Sequence, residues 1–161
     1  MRRRKIQWDA SASAAANARA ALPGWARAYF QHGRALAQAA ASPAAMHRFR
    51  LDTKALRYTL ELFRPCYGPG LEARLAEMRK VQDFLGAISD FATTRELLSS
   101  RLPEGGPEGA RMERYLDARS KRKAAEFRRY WRSTFDRVGE EQRWLAYLSR
   151  PRLPQGPVTQ Y

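Results

Sequence analysis

Residues 42–65 have the sequence SPAAMHRFRLDTKALRYTLELFRP, which predicts one long α-helix with well-defined ends. Ser42 is a typical N-cap residue, and Pro43 suits the first helical position because proline has no backbone N–H to donate. Pro65 closes the same helix because a proline ring cannot continue it. This helix is therefore well bounded at both ends.

The polar side chains of this helix form a single stripe. At about 100° per residue, one sector of the helix holds a histidine, three cations and a carboxylate: His47, Arg50, Lys54, Arg57 and Glu61. We call the first four the basic stripe. The opposite face is apolar (Phe49, Leu56, Leu60, Phe63), and a second apolar flank runs beside the stripe (Leu51, Tyr58, Leu62). Such a stripe matches a linear polyanion, but a solvated polar face has the same periodicity, so both interpretations stay open.

Three further long segments have helical patterns, and strand signals are scarce. Residues 10–41 are alanine-rich, and Pro23-Gly24 is expected to bend or split them. A second segment runs from Leu71 to about Arg101. The third segment has a long apolar face, formed by Met112, Leu116, Phe127, Trp131, Phe135 and Val138. A short helix at 140–149 extends this segment. We predict an all-α fold, an up-down antiparallel four-helix bundle with long helices.

Length and composition indicate one folded domain with a strong positive charge. The 161 residues carry 30 Lys and Arg against 16 Asp and Glu, which gives +14, while 44 % hydrophobic residues suffice for a core. We predict a basic tail over 1–9, a single helical bundle over 10–149 and a flexible tail over 150–161. The single Cys66 excludes an internal disulfide, and no apolar stretch could span a bilayer. A cytoplasmic protein that does not bind membranes is the expectation.

The last two of the predicted long helices differ in charge. The last one carries seven cations on one face: Arg111, Arg114, Lys121, Arg122, Arg128, Arg129 and Arg132. The helix from Leu71 is neutral, and Gln82, Asp83 and Asp90 are predicted to hold the cations of the basic stripe in fixed rotamers. Gly86 lies between the two aspartates, where another helix or a ligand could come close. Without a nucleophile, a phosphate loop or a set of metal ligands, these carboxylates do not indicate catalysis.

The two histidines do not indicate a metal centre. His32 shares a helix face with Trp25, Tyr29 and Leu36, which predicts a buried, hydrogen-bonded core histidine. Only His47 remains, and one histidine without further ligands at metal-binding spacing does not form a site. We therefore predict neither a metal nor a cofactor.

Residues 46–63 resemble the signature of the CHAD domain, the conserved histidine α-helical domain. The pattern is His47, Arg at +3, Lys at +7, Arg-Tyr at +10 and +11, and Glu at +14, and every position is met. The run Val81-Gln82-Asp83-Phe84-Leu85-Gly86 with Ser89-Asp90 is similar to the second block of the family, with Ser89 where Asn is usual. The resemblance is specific over about 46–91.

The resemblance implies a non-catalytic helical module that binds inorganic polyphosphate. Carried over by position, the basic stripe would contact phosphate, and five residues would support it: Tyr58, Glu61, Gln82, Asp83 and Asp90. Arg122 and Arg129 are added from the helical wheel alone. Typical members contain two halves with a His motif each, whereas this chain has one, similar to the second half.

Two alternatives follow from that single motif. Either one bundle suffices for weak binding, or two chains pair as a homodimer that rebuilds the two-half groove. The alternative function is a general nucleic-acid-binding basic protein, because a +14 chain attracts DNA or RNA non-specifically at low salt. An enzyme of phosphate metabolism is disfavoured because no P-loop or metal-ligand set is present.

Overall fold

The computed structural model describes residues 8–38, 41–101 and 106–151. These residues form five α-helices and no strand, which confirms the all-α prediction. The helices are α1 (Ala14–Gln38), α2 (Pro43–Leu62), α3 (Gly70–Ser99), α4 (Pro107–Tyr130) and α5 (Glu140–Leu148). A 3₁₀ turn at Arg64–Cys66 follows α2, and a π-helical turn at Trp131–Phe135 continues α4.

The N-terminus of α2 has the predicted cap. The Ser42 hydroxyl accepts a hydrogen bond from the Ala45 backbone N–H (3.2 Å), and Pro43 occupies the first turn. At the other end, Phe63 follows the last helical residue, and Pro65 lies in the 3₁₀ turn. The sequence therefore predicts both ends of this helix correctly to within about two residues.

Pro23-Gly24 does not split α1, so this part of the prediction is wrong. The helix runs without interruption from Ala14 to Gln38. A proline inside a helix costs about 3 kcal/mol, but Leu22 and Ala26 on either side are fully buried. Their packing on the core holds the two halves in one helix.

The helices surround a core rich in aromatic side chains. Helix α1 packs against α2, α4 and α5, and α3 packs against both α2 and α4. The π-helical turn, closed by the Asp136 N–H to Trp131 carbonyl bond (2.7 Å), directs both Trp131 and Phe135 inward with their rings 4.6 Å apart. Around this pair lie Tyr29, Phe30, Phe49, Phe127 and Trp144.

Polar contacts fix how α1 sits against its neighbours. The buried Thr53 hydroxyl donates to the Phe49 carbonyl (2.8 Å) and lies 3.0 Å from the Tyr29 hydroxyl, which joins α2 to α1. Burial of Tyr29 raises the pKa of its phenol. On the other side of α1, Arg34 donates two hydrogen bonds of 2.7 Å to Asp136 and one of 2.5 Å to Glu141. This cluster anchors α5 and the π-helical turn to α1.

The structure also changes the predicted extent of the apolar faces and tails. Met112 and Val138 are exposed, so the apolar face of the last long helix is shorter than predicted. Trp8 stacks 6.1 Å from Phe63, and Asp9 exchanges backbone hydrogen bonds with the Asn17 side chain, so both residues pack on the bundle. The basic residues 2–5, most of the 102–107 break and most of the C-terminal tail lie outside the described residues.

Across the three described ranges, none of the helices is both long enough and apolar enough to cross a lipid bilayer.

Candidate functional site

The two ends of the basic stripe, His47 and Arg57, lie opposite α3 across the space between α2 and α3. His47 is exposed, whereas Arg50, Lys54 and Arg57 are partly buried against the bundle. On α3, Gln82, Gly86 and Ser89 follow one another at successive turns, with Gln82 in contact with Arg57 and Ser89 in the cavity lining beside His47. The Arg57 to Gln82 hydrogen bond spans the two helices at one end, and a cavity of about 450 Å³, lined by His47 and Ser89 among others, lies at the other. We call this the α2–α3 groove.

Arg57 is held in one orientation by three predicted supporting residues. Its Nε donates to Gln82 Oε1 (3.0 Å), and one terminal nitrogen donates to Glu61 Oε1 (2.5 Å). The guanidinium carbon lies 4.4 Å from the centre of the Tyr58 ring. Only 13 % of the Arg57 side chain is exposed, which reduces solvent screening of its charge. The guanidinium is thus oriented in advance, and its remaining N–H groups can meet an anion.

Arg50 has a buried donor without a partner. Its Nε is inaccessible to solvent and forms no hydrogen bond to any described residue. An unsatisfied buried donor costs about 1–3 kcal/mol. Because the atom is inaccessible in this conformation, an anion oxygen would satisfy the donor only after the Arg50 side chain turns outward.

Asp83 and Asp90 do not perform the predicted role. Both carboxylates are exposed, and within the described ranges neither forms an ion pair with a cation of α2. The residues that orient Arg57 are Glu61 and Gln82 instead. The groove therefore has fewer carboxylates facing its cations than the sequence suggested, and it stays more positive.

Gly86 is open rather than approached by a helix. A Cβ atom built there would meet no atom within 4 Å. Of the two predicted possibilities, a helix or a ligand close to Gly86, the structure shows no close helix. The open backbone at this turn leaves space in the groove for a ligand.

Arg122 and Arg129 lie on the outer surface of α4. Both are exposed, and the described contacts of Arg122 are with Glu126 on the same helix (3.3 Å). Hydrogen bonding, first from Lys123 and then from Arg122, lowers the pKa of the Glu126 carboxyl. No described contact joins Arg122 or Arg129 to α2, so the structure does not bring them to the groove. Two other cations of α4, Lys121 and Arg128, line a second cavity together with Arg95 of α3.

His32 is hydrogen-bonded, as predicted, but it is only partly buried. Its Nδ1 lies 2.8 Å from Asp52 Oδ2, its ring meets the edge of Phe49 at 5.0 Å, and 24 % of its side chain is exposed. Among the described residues, no group of three or more His, Cys, Asp or Glu side chains is placed to hold a metal ion. The His32–Asp52 hydrogen bond connects α1 to α2 within the stretch 46–63.

A known protein family matches the part of the chain that contains α1, α2 and α3. The family model described as the CHAD domain matches residues 3–99, more than half of the chain. The chain belongs to the CHAD domain family. The match includes α1, α2 and α3, and so both walls of the α2–α3 groove, whereas α4 and α5 lie beyond it. No curated protein and no solved structure matches the chain at a significant level.

Proposed function

We propose that this CHAD protein binds inorganic polyphosphate, without catalysing a reaction, in the α2–α3 groove. CHAD domains are associated with polyphosphate binding, and the groove presents cations to a linear anion. The observation that carries the proposal is the buried Arg50 Nε without a partner, one turn from an exposed His47 and two turns from an oriented Arg57. A phosphate oxygen would supply the acceptor that this donor lacks once the Arg50 side chain turns outward.

The chemistry of binding follows from the residue types. Arginine donates paired hydrogen bonds to phosphate oxygens, so Arg50 and Arg57 give the contact direction. Lys54 and His47 extend the positive surface along α2. The stripe runs over eleven residues from His47 to Arg57, about 15 Å of helix, which suits several linked phosphates rather than one. Every phosphate oxygen bound also releases counterions from the polymer.

Polyphosphate length tests the shape of the groove. We expect long-chain polyphosphate to bind at least tenfold more tightly than tripolyphosphate, per molecule, at about 200 mM salt. The reason is that only the longer polymer reaches from Arg57 to His47 while its ends remain in solvent. Calorimetric titration of both ligands measures the ratio. Equal affinities would contradict an elongated site.

We also propose that two chains pair through α2. Leu51, Tyr58 and Leu62, the second apolar flank of the helix, are all exposed, and Leu62 is 73 % exposed. They lie beside the basic stripe, so a two-fold contact through this flank would place two stripes next to each other. This arrangement would form one wider groove from two copies of the single motif.

We interpret α1–α4 as an up-down antiparallel bundle within each copy. We also propose a cytoplasmic location for the protein.

Mass measurement in solution tests the pairing. We expect about twice the 18.5 kDa chain mass in the presence of polyphosphate. Leu51→Lys/Leu62→Lys should reduce this to a single chain because it places charges in an apolar contact. Val138→Lys is the control, since Val138 is 96 % exposed and precedes α5 rather than belonging to α2. A wild-type monomer that binds polyphosphate with full affinity would contradict the shared groove.

A further inference from the structure

A cavity of about 290 Å³ lies between α2, α3 and α4. Its floor is apolar and comes from the bundle core, because Met46, Ile88 and Leu116 are each at most 6 % exposed. Phe91 and Ala124 complete the apolar lining. The cavity shares Pro43, Met46, Ile88 and Ala92 with the cavity beside His47, but its remaining lining residues differ.

The rim of this cavity is positively charged. Arg95 from α3 and Lys121 and Arg128 from α4 line it together with one carboxylate, Asp117. Lys121 already pairs with Asp117 at 2.7 Å. Arg95 and Arg128 form no ion pair with any acidic residue that the structure describes. Two arginines are therefore available above an apolar floor.

We propose that this cavity is a second binding site, for a small anionic amphiphile with a carboxylate head and a short apolar chain. The chain would replace water over Met46, Ile88 and Leu116, and the head would accept hydrogen bonds from Arg95 and Arg128. An apolar pocket with a few convergent polar groups is the usual form of a small-molecule site. Inorganic polyphosphate has no apolar part, so this site takes a different class of ligand from the α2–α3 groove.

The volume limits the size of that ligand. With about 30 Å³ for a water-sized group, the cavity holds on the order of ten heavy atoms. Octanoate, which has a seven-carbon alkyl chain and a carboxylate and so ten heavy atoms, is of this size. A long-chain lipid would leave most of its apolar part outside the cavity, so the free short-chain anion is the ligand we propose.

Titration with three probes tests the charge and the apolar requirement. We expect octanoate to bind one chain at one site, below the concentration at which it forms micelles. Acetate, which has the head without the chain, and octyltrimethylammonium, which has the chain with the opposite charge, should not bind detectably. Absence of octanoate binding, or equal binding of octyltrimethylammonium, would overturn the proposal.

Variants locate the site. Ser120→Leu places an apolar side chain in the cavity without changing charge, and it should abolish octanoate binding while polyphosphate binding is kept. Arg95→Gln/Arg128→Gln should weaken octanoate binding at least tenfold, because charged hydrogen bonds are lost. Arg19→Gln/Arg27→Gln removes the same charge from the exposed surface of α1 and should leave octanoate binding unchanged.

Each outcome decides the proposal. If octanoate binding survives in both Ser120→Leu and Arg95→Gln/Arg128→Gln, the ligand binds elsewhere and the assignment is wrong. If Ser120→Leu fails to fold by circular dichroism, the arginine pair and its control on α1 still give the answer. If the wild-type protein does not bind polyphosphate, the proposed function of the α2–α3 groove is wrong. The octanoate result is independent of that outcome.

Discussion

Replacing Arg50 and Arg57 by glutamine is expected to weaken polyphosphate binding about 100-fold or more at about 200 mM salt. Each arginine supplies charged hydrogen bonds, worth about 1.5–3 kcal/mol apiece, and every 1.4 kcal/mol is about tenfold in affinity. High salt suppresses the general attraction of the chain for anions, so it isolates these contacts. Glutamine keeps a polar side chain at both sites, which limits the disturbance of α2.

The control for this pair is a variant with the same net charge. Arg19→Gln/Arg27→Gln also removes two positive charges, but from exposed positions on α1. We expect it to reduce affinity several-fold at low salt and hardly at all at high salt. Arg57→Lys should lie between wild type and the double variant, because lysine keeps the charge and loses the paired donors. An Arg50→Gln/Arg57→Gln protein that binds polyphosphate normally would exclude the groove.

The Gly33→Ala substitution is expected to destabilise the fold by about 3 kcal/mol, the upper end of overpacking effects. A Cβ atom at Gly33 would lie 2.0–2.6 Å from three indole carbons of Trp131. The indole is 1 % exposed, and it stacks on Phe135 and packs edge-on against Tyr29 and Phe49, so it has no space to move. The close approach of α1 to the π-helical turn therefore requires a glycine.

Gly86→Ala provides the matched control in the opposite direction. Gly86 lies inside α3 with no atom within 4 Å of an added Cβ. We expect a gain of about 0.5–1 kcal/mol, because alanine loses less backbone freedom in a helix. Urea unfolding of both variants, followed by circular dichroism, gives the two free energies. A Gly33→Ala protein as stable as the wild type would show that α1 and Trp131 are not in contact.

Periodicity predicted the residues that share a face of one helix. The spacing of His47, Arg50, Lys54 and Arg57 fixes their common direction on α2, and the Arg57 to Glu61 pair follows from its four-residue separation. Ser42 and Pro43 likewise predicted the N-terminus because capping depends on local backbone donors. These features need no knowledge of the neighbouring helices.

Features that depend on neighbours were not predictable in the same way. The direction of Asp83 and Asp90, into solvent rather than toward α2, is decided by how α3 rotates against two partners. Arg95 was missed because it lies on a helix without net charge, and only packing brings it beside Arg128. The π-helical turn at Trp131–Phe135 has no pattern in the sequence that separates it from an α-helix.

Competition between polyphosphate and DNA tests the central claim most directly. Wild-type protein bound to fluorescent long-chain polyphosphate is titrated with duplex DNA of the same phosphate concentration at about 200 mM salt. We predict that the DNA fails to displace the polyphosphate, because a flexible chain can follow the α2–α3 groove and a rigid duplex cannot. Displacement by DNA as effective as that by unlabelled polyphosphate would show that the protein binds polyanions only through its +14 charge.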